Sequence, residues 1–395
     1  MSREISTVLV TAGVTGKIGG EVMRLAARDY PDKHFIATSR DRNLVDSQRA
    51  NNVDVRFYDL QYSTLPEIRT MLTGVDAVIH TAASTNETND FELHRIMNYE
   101  ATSRLAYVCA EQGVKLQILG STAMHTLTPE GIIDDYTDPF SMAAYGGSKI
   151  NAFKAAKFLE TPDTIEKGYG VTQTVPGLTI GIDDNWSNNI VGLLRNGLTR
   201  FGARALLNTE VAWSYQEDVA NLLIQIALNP NMATTDRYLA INGMVKINDL
   251  LGLYAGMIDV PVPKIPIWKP KAELIAKTVL TYMDVVHHQI QPVSPELIPF
   301  GLYGDKRQFR PVAAARDFGW ESKSFEEVSE IIRNNFVPEP GEATSFTQAL
   351  GNIVDKKVDV ETIKKKVATA GLVVGGAAAA VAGVEYFLGS KRKTA

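Results

Sequence analysis

The chain has 395 residues, enough to bury a large core and to form two or three domains. Its 40 Lys and Arg against 45 Asp and Glu leave a net charge of −5, and no basic stripe rises above that mixture, so a nucleic-acid partner is not expected. The single cysteine, Cys109, excludes an intramolecular disulfide, and its apolar helical surroundings favour a buried thiol over a nucleophile.

The amino terminus reaches an apolar run at once, which leaves no room for a signal peptide. Residues 8–20 read as a buried strand, a tight turn and a helix: a β-branched run, glycines at 13, 16 and 19, then the apolar positions Val22, Met23, Leu25 and Ala26. Gly13 would permit a turn that a Cβ blocks, Gly16 would let the backbone approach a pyrophosphate, and Gly19 would let helix and strand pack closely. Unpaired N–H groups and the helix dipole then make an anion site. Thr15, Lys17 and Ile18 belong to the same candidate dinucleotide cradle. The spacing is G-x-x-G-x-x-G, and it takes its meaning from the strand before it and the helix after it.

Onward to about residue 180, strand-like runs at 8–11, 34–38, 53–58, 77–80, 116–119 and 170–175 alternate with amphipathic stretches at 21–29, 65–72, 91–112 and 145–160. This alternation predicts an α/β fold, a doubly wound parallel sheet with helices on both faces. Ligands of such sheets sit beyond the carboxyl ends of the strands. The second strand ends at Ser39 and Arg40, with Arg42 close behind. Donors and positive charge there suit a 2′-phosphate, so NADP is favoured, with NAD the other choice. After the third strand Asp59 can accept from an adenine amino group. The fourth ends in His80, Thr81, Ala82 and Ala83, small enough to let backbone lie along a dinucleotide. His80 lacks partners at ligand spacing, so a packed histidine is expected there and no metal site anywhere.

The fifth strand runs into Ser121 and Thr122, and Tyr145 and Lys149 follow at i, i+4 on one helix face. A phenol with a pKa near 10 is a poor acid–base group, but a lysine ammonium and an oxidised nicotinamide stabilise the phenolate. The pair can then exchange a proton with a carbonyl or alcohol held by a Ser121 or Thr122 hydroxyl.

With these residues the chain resembles the extended short-chain dehydrogenase/reductase family, within the NAD-dependent epimerase/dehydratase superfamily. The resemblance runs from about residue 7 to about residue 332. It is carried by Gly13, Gly16 and Gly19, Asp59-Leu60, residues 80–83, Asn98, Ser121-Thr122, Tyr145 and Lys149, with further marks at 214–220 and 315–320. It implies a Rossmann domain, Tyr145 as general acid–base and Lys149 on the ribose hydroxyls. It further implies Thr122 as the catalytic hydroxyl with Ser121 its neighbour, Asn98 behind the lysine, Leu60 beside the cofactor and Pro176 at the nicotinamide. Val175 departs from the arginine many members carry before this proline, and Gly146-Gly147 open the catalytic helix with poor helix formers. Two helices of this family often pair in dimers, so a homodimer is an expected partner.

The resemblance divides the chain into a nucleotide-binding domain at 1–180, with returning strands from about 205–245, and a smaller substrate-binding part at 181–336. Candidates for the substrate wall are Asp183, Asp184, Asn185, Trp186, Trp213, Trp268, Tyr282, His287, His288 and Tyr303. A proline-rich connector at 260–266 precedes an apolar stretch at 274–286, and the arrangement looks most like the 3β-hydroxysteroid dehydrogenase branch. Residues 337–366 read as a linker and charged helix. Residues 367–388 carry one charge, Glu385, and as a helix would reach about 33 Å. A hydrophobic C-terminal helix acting as a membrane anchor, on a cytoplasmic protein associated with the membrane from the cytosolic side, is the resulting expectation.

The leading functional expectation is an NAD(P)-dependent oxidoreductase working on a hydroxyl/keto pair of a bulky apolar, steroid- or lipid-like small molecule. A sugar-nucleotide epimerase or dehydratase would use the same residues, with arginines such as Arg195, Arg200, Arg204, Arg307 and Arg310 around a diphosphate. A dinucleotide-binding scaffold without turnover is the third reading.

Overall fold

The computed structural model describes residues 4–50, 54–85, 90–182, 210–231, 233–260 and 306–337, together with 184, 187, 188, 190, 191 and 194. β1 (Thr7–Thr11) leads through α1 (Lys17–Asp29) to β2 (His34–Ser39), α2 (Arg42–Ala50), β3 (Val55–Phe57), α3 (Leu65–Met71) and β4 (Ala77–His80). A helical stretch follows in three segments: α4 (Phe91–His94), a π-helical segment (Arg95–Glu100) and α5 (Ala101–Gln112). β5 (Lys115–Leu119) runs into a 3-10 turn (Thr122–His125), then β6 (Gly131–Ile133), α6 (Ala144–Phe158), α7 (Pro162–Glu166), β7 (Val171–Pro176) and β8 (Leu178–Ile180). Beyond them come β9 (Glu210–Tyr215), α8 (Gln216–Leu228), β10 (Arg237–Ala240), β11 (Gly243–Lys246) and α9 (Ile247–Met257). The described chain ends with β12 (Arg307–Phe309), α10 (Ala313–Phe318) and α11 (Phe325–Asn335).

Seven strands form one all-parallel sheet in the order β10–β7–β5–β4–β1–β2–β3. Both faces are covered, which is why the strands read as nearly continuous apolar runs. Leu9 packs with Ile36, Val78, Leu105 and Leu116 on one face. Its neighbours Val8 and Val10 pack with Val22, Leu25, Ile79 and Leu222 on the other. The chain builds outward from β1 to β3, then crosses back to β4 on the far side of β1. That reversal opens a crevice at the carboxyl ends of β1 and β4.

The doubly wound sheet is the expected one. Helix α1 begins at Lys17, four residues earlier than its apolar pattern, because the Gly20 N–H already bonds the Gly16 carbonyl at 2.7 Å. The stretch predicted as one helix at 91–112 is broken by the π-helical segment, where Asn98 turns inward and is buried. Of the returning strands, β10 extends the large sheet beside β7, whereas β9 and β11 pair antiparallel in a separate three-stranded sheet with β8. Trp213 belongs to the core of this smaller unit, edge-on to Phe325, and is no substrate wall.

A buried carboxylate ties distant segments of the chain to the large sheet. Asp135 accepts from the Leu239 N–H at 2.7 Å with one oxygen and from the Val312 and Ala313 N–H groups at 2.8 and 2.9 Å with the other. One side chain therefore ties the loop after β6 to β10 and caps α10. Asp135→Ala would leave three backbone donors, two of them buried, without an acceptor. Hydrogen bonds to a charged group contribute about 1.5–3 kcal/mol each, so a loss of roughly 3 kcal/mol or more in urea unfolding is expected, with Asp135→Asn losing less.

Candidate active site

Because the large sheet is parallel, every candidate at a strand's end lies along one edge. The glycine turn is held together by the Ala12 carbonyl, which accepts from the Gly16 N–H at 2.8 Å. A Cβ on Gly16 or on Gly19 would stand 2.6 Å from that same oxygen, and on Gly19 also 2.8 Å from Thr81 Oγ1. A Cβ on Gly13 would stand 3.0 Å from the Ala37 Cβ and from the Val10 carbonyl oxygen, but the left-handed residue of the turn is Ala12, with φ 52°. The steric requirement at Gly13 is thus close approach to β2. Helix α1 has no acidic residue in its first turn and no side-chain cap, so nothing of its own competes for its N–H groups. Thr15 is exposed at this turn, and Lys17 and Ile18 are half-buried.

Arg40 is exposed beyond β2 and has no hydrogen bond or ion pair among the described residues. Its acidic neighbour Asp41 caps α2 instead, accepting from the Asn43 and Leu44 N–H groups at 2.9 and 3.3 Å, while Ser39 Oγ accepts from the Asp41 N–H. The Arg42 guanidinium lies 3.7 Å over the Phe57 ring. Past β3, Asp59 uses one carboxylate oxygen on the Gln61 and Tyr62 N–H groups, and the Leu60 carbonyl takes Arg104 at 2.5 Å.

At the end of β4, Thr11 Oγ1 accepts from the Thr81 and Ala82 N–H groups at 2.9 and 3.0 Å. With both lone pairs used, its proton goes to His80 Nδ1 at 2.9 Å, so the imidazole carries its own proton on Nε2 and donates to Thr102 at 3.0 Å. Burial, helped by the nearby Lys149 ammonium, pushes the His80 pKa down to about 3. His80 is thus a neutral packed histidine that fixes the half-buried Thr81–Ala82–Ala83 strip.

After β5, Ser121 Oγ accepts from the Ala123 N–H at 3.1 Å and caps the 3-10 turn, whereas the Thr122 hydroxyl has no hydrogen-bond partner among the described residues. Helix α6 starts directly against this turn. Thr126 donates to Ser141 Oγ at 2.7 Å, and a Cβ on Gly146 would overlap the Ala123 carbonyl oxygen. The glycine that weakens the helix is therefore what lets it approach. Tyr145 and Lys149 are both buried. The Lys149 ammonium lies 5.9 Å from the centroid of the Tyr145 ring and donates to the Leu119 carbonyl at 2.9 Å. Burial lowers its pKa to about 8, which keeps it largely charged at neutral pH. Pro176 closes β7 in register with Ala240, and Val175 is enclosed with Met124, Ile150 and Leu239.

Residues 8–161 match the NAD dependent epimerase/dehydratase family. No curated protein matches the chain in sequence. A solved UDP-glucose 4-epimerase from Thermus thermophilus, complexed with NAD, is 18% identical with a TM-score of 0.59, over 84% of this chain and 98% of its own. A dTDP-glucose 4,6-dehydratase double mutant from Streptomyces venezuelae with NAD bound is 17% identical with a TM-score of 0.59, over 83% and 95%. A dTDP-4-dehydrorhamnose reductase from Bacillus anthracis in complex with NADP is 15% identical with a TM-score of 0.55, over 82% and 98%. At these identities the likeness establishes the fold.

The glycine turn, the Thr81–Ala83 strip, the 3-10 turn and α6 are all brought to one edge here, with Asn98 packed by α6. Asn98 Oδ1 accepts from the Ser84 N–H at 2.8 Å, and its amide donates to the Ser84 carbonyl at 3.0 Å and to Ser148 Oγ at 3.1 Å. Sequence reasoning missed His94, whose ring packs on Tyr145 with centroids 5.6 Å apart; its only signal was its place four residues before Asn98 on a helix. Of the substrate-wall candidates, Asp184 is buried and accepts from the Gly181 and Ser187 N–H groups. Asp183, Asn185, Trp186, Trp268, Tyr282, His287, His288, Tyr303, Arg195, Arg200 and Arg204 lie outside the described residues, as do the stretches at 261–305 and 338–395. Among the described residues no helix is long and apolar enough to cross a membrane.

The buried histidines give the fold a pH dependence. Burial, with Arg237 and Arg307 nearby, holds His125 down at about 4, as burial and Lys149 hold His80 at about 3. The unfolded chain takes up a proton at each near pH 6.5, and the folded chain does not until those lower values. Their stabilisation is complete above about pH 6.5 and is lost as pH falls towards 4 and then 3. Urea unfolding at about pH 5 should give a lower midpoint than at about pH 7.5, and His80→Gln should reduce the difference.

Proposed function

We propose that the chain is an NAD(P)-dependent oxidoreductase that interconverts a hydroxyl and a ketone, with Tyr145 as the general acid–base. The observation that carries this reading is the buried Lys149 ammonium 5.9 Å from the Tyr145 ring, on a helix whose first turn abuts Ala123, the residue after Thr122. An ammonium at that range favours the phenolate, and each unit by which a pKa falls corresponds to about 1.4 kcal/mol. Tyr145 then exchanges the proton of the substrate oxygen, and Thr122, whose hydroxyl is uncommitted among the described residues, orients that oxygen. Ser121 serves as the cap of the turn.

A dinucleotide suits the cradle, since Gly16 and Gly19 let α1 begin tight against the Ala12 carbonyl with no acidic residue or side-chain cap on its first turn. Residues 13–19, Asp59, Leu60, the Thr81–Ala83 strip, Lys149 and Pro176 would hold it, and when bound it supplies or takes up the hydride. Arg40, with Asp41 diverted to cap α2, supports a preference for NADP over NAD.

For the substrate, a bulky apolar hydroxyl or keto compound is supported by the segment between Thr122 and Tyr145. It exposes Leu127 (40%), Phe140 (54%) and Met142 (67%), with the Leu127 N–H bonded to the Phe140 carbonyl. The sugar-nucleotide reading is favoured by the NAD-bound epimerase and dehydratase among the solved neighbours. For it, Arg310 is exposed, while Arg307 is buried beside His125.

Purified chain incubated with each reduced cofactor and a panel of ketosteroids, lipid ketones and sugar nucleotides should oxidise NADPH with an apolar ketone. Tyr145→Phe should reduce that turnover at least about a hundredfold and leave NADPH binding within twofold. Unchanged turnover would remove the mechanism. Arg40→Ala should weaken NADPH about tenfold and leave NADH unaffected, a difference of about 1.4 kcal/mol.

A further inference from the structure

His94 lies in the core and takes no part in the chemistry just described, yet it touches the residue on which that chemistry depends. It ends α4, is fully buried, and sets its ring against Tyr145 with centroids 5.6 Å apart and planes at 57°. Its Nδ1 stands 3.1 Å from Asn98 Nδ2. The direction of that bond follows from Ser84. A backbone N–H can only donate, so the Asn98 atom facing it is the carbonyl oxygen and the atom facing His94 is the NH₂. His94 Nδ1 is therefore an acceptor, and the ring in this contact is not protonated there.

The Asn98 NH₂ has two hydrogens for three acceptors, the Ser84 carbonyl, His94 Nδ1 and Ser148 Oγ, so one N–H is shared, and Ser148 Oγ in turn donates to the Tyr145 carbonyl at 2.7 Å. Tyr145 is thereby held twice from one centre: its ring by His94 and its backbone through Ser148. That centre is anchored by two bonds to the backbone of Ser84, directly after the Thr81–Ala83 strip. The π-helical turn between His94 and Asn98 puts both side chains inward, and such turns recur at functional sites.

We propose that His94 is a positioning residue for Tyr145. Its ring, oriented by the hydrogen bond from Asn98, holds the phenol where the Lys149 ammonium stabilises its ionised form. This proposal rests on the reading of Tyr145 as the acid–base, but the effect of His94 on that phenol is measured without any substrate.

The test follows Tyr145 by carbon-13 NMR in the full chain saturated with NADP, labelled in its tyrosine rings, the Tyr145 signal being the one lost in Tyr145→Phe. A wild-type midpoint at or above about 10 would overturn the acid–base reading. The His94 proposal is judged separately, by the difference between wild type and variant. His94→Phe keeps a ring against Tyr145 and removes the acceptor, so it folds and should raise the Tyr145 midpoint by about one unit, a tenfold loss of phenolate at neutral pH. His94→Ala, which removes the ring as well, should raise it at least as far. Should His94→Ala not fold, His94→Phe decides alone. A residue that only fills space would lower the unfolding temperature and leave the midpoint in place. A His94→Phe midpoint equal to that of wild type sinks the proposal.

Discussion

The amino end of α6 reaches the turn after β5 only because position 146 has no side chain. A Cβ there would overlap the Ala123 carbonyl oxygen and stand 2.5 Å from Ser141 Oγ. Glycine in a helix costs about 1 kcal/mol relative to alanine, and α6 opens with two of them. That cost is offset by what the approach allows. The Thr126–Ser141 bond clamps the loop before the helix, Ser148 caps back onto the Tyr145 carbonyl, and the turn after Tyr145 packs on Ala123. Moving α6 outward by the width of a methyl group would carry phenol and ammonium away together from the strand end that bears the hydroxyl.

The same device operates at the other end of the crevice. Ala12 adopts the left-handed conformation and points its carbonyl into α1, and Gly16 and Gly19 both leave room for that oxygen. Two helices are thus seated at the sheet's carboxyl edge by missing side chains rather than by added contacts. At β4 the tie is a hydrogen-bonded one, from Thr11 to the Thr81 and Ala82 N–H groups, which are only two residues from the Ser84 backbone that holds Asn98. Cradle, strip and helix consequently form one connected body.

This connection explains what could be read from the sequence and what could not. Residues with a backbone reason for their identity were legible: the glycines of the cradle, the alternating runs of the parallel strands, and Tyr145 and Lys149 at a spacing that puts them on one helix face. The strand expected at 77–80 and Ala77–His80 coincide. Three-residue strands such as β6, β8 and β12 were invisible because pairing, not composition, makes them strands. Asp135 gathers three N–H groups and Asp218 receives Asn242 and Lys323, ties that the sequence did not reveal. Their partners lie far along the chain, and no local pattern signals them. Ser121 and Thr122 could be told apart only once the turn showed which oxygen its backbone claims. The π-helical step at Asn98 was likewise hidden, because the residues around it read as an ordinary amphipathic helix.

The electrostatics of the crevice follow from the same buried ties. Lys149 and His80 are close enough for the ammonium to depress the imidazole's basicity, and burial depresses it further. Had His80 been charged, two cations would compete in a space without a described counter-ion, and the phenolate would be favoured by an uncertain mixture of both. The Thr11 hydroxyl prevents this by giving His80 Nδ1 a proton to accept rather than a site to protonate. His94, packed on the Tyr145 ring, is also held as an acceptor by an NH₂ that can only donate. Positive charge near the phenol is therefore concentrated on one group, Lys149, whose own pKa remains about 8 despite burial. A single fixed cation among neutral hydrogen-bonding partners ties the acidity of the tyrosine to one distance. For that reason the residues that hold the ring in place matter to its chemistry as much as the lysine does.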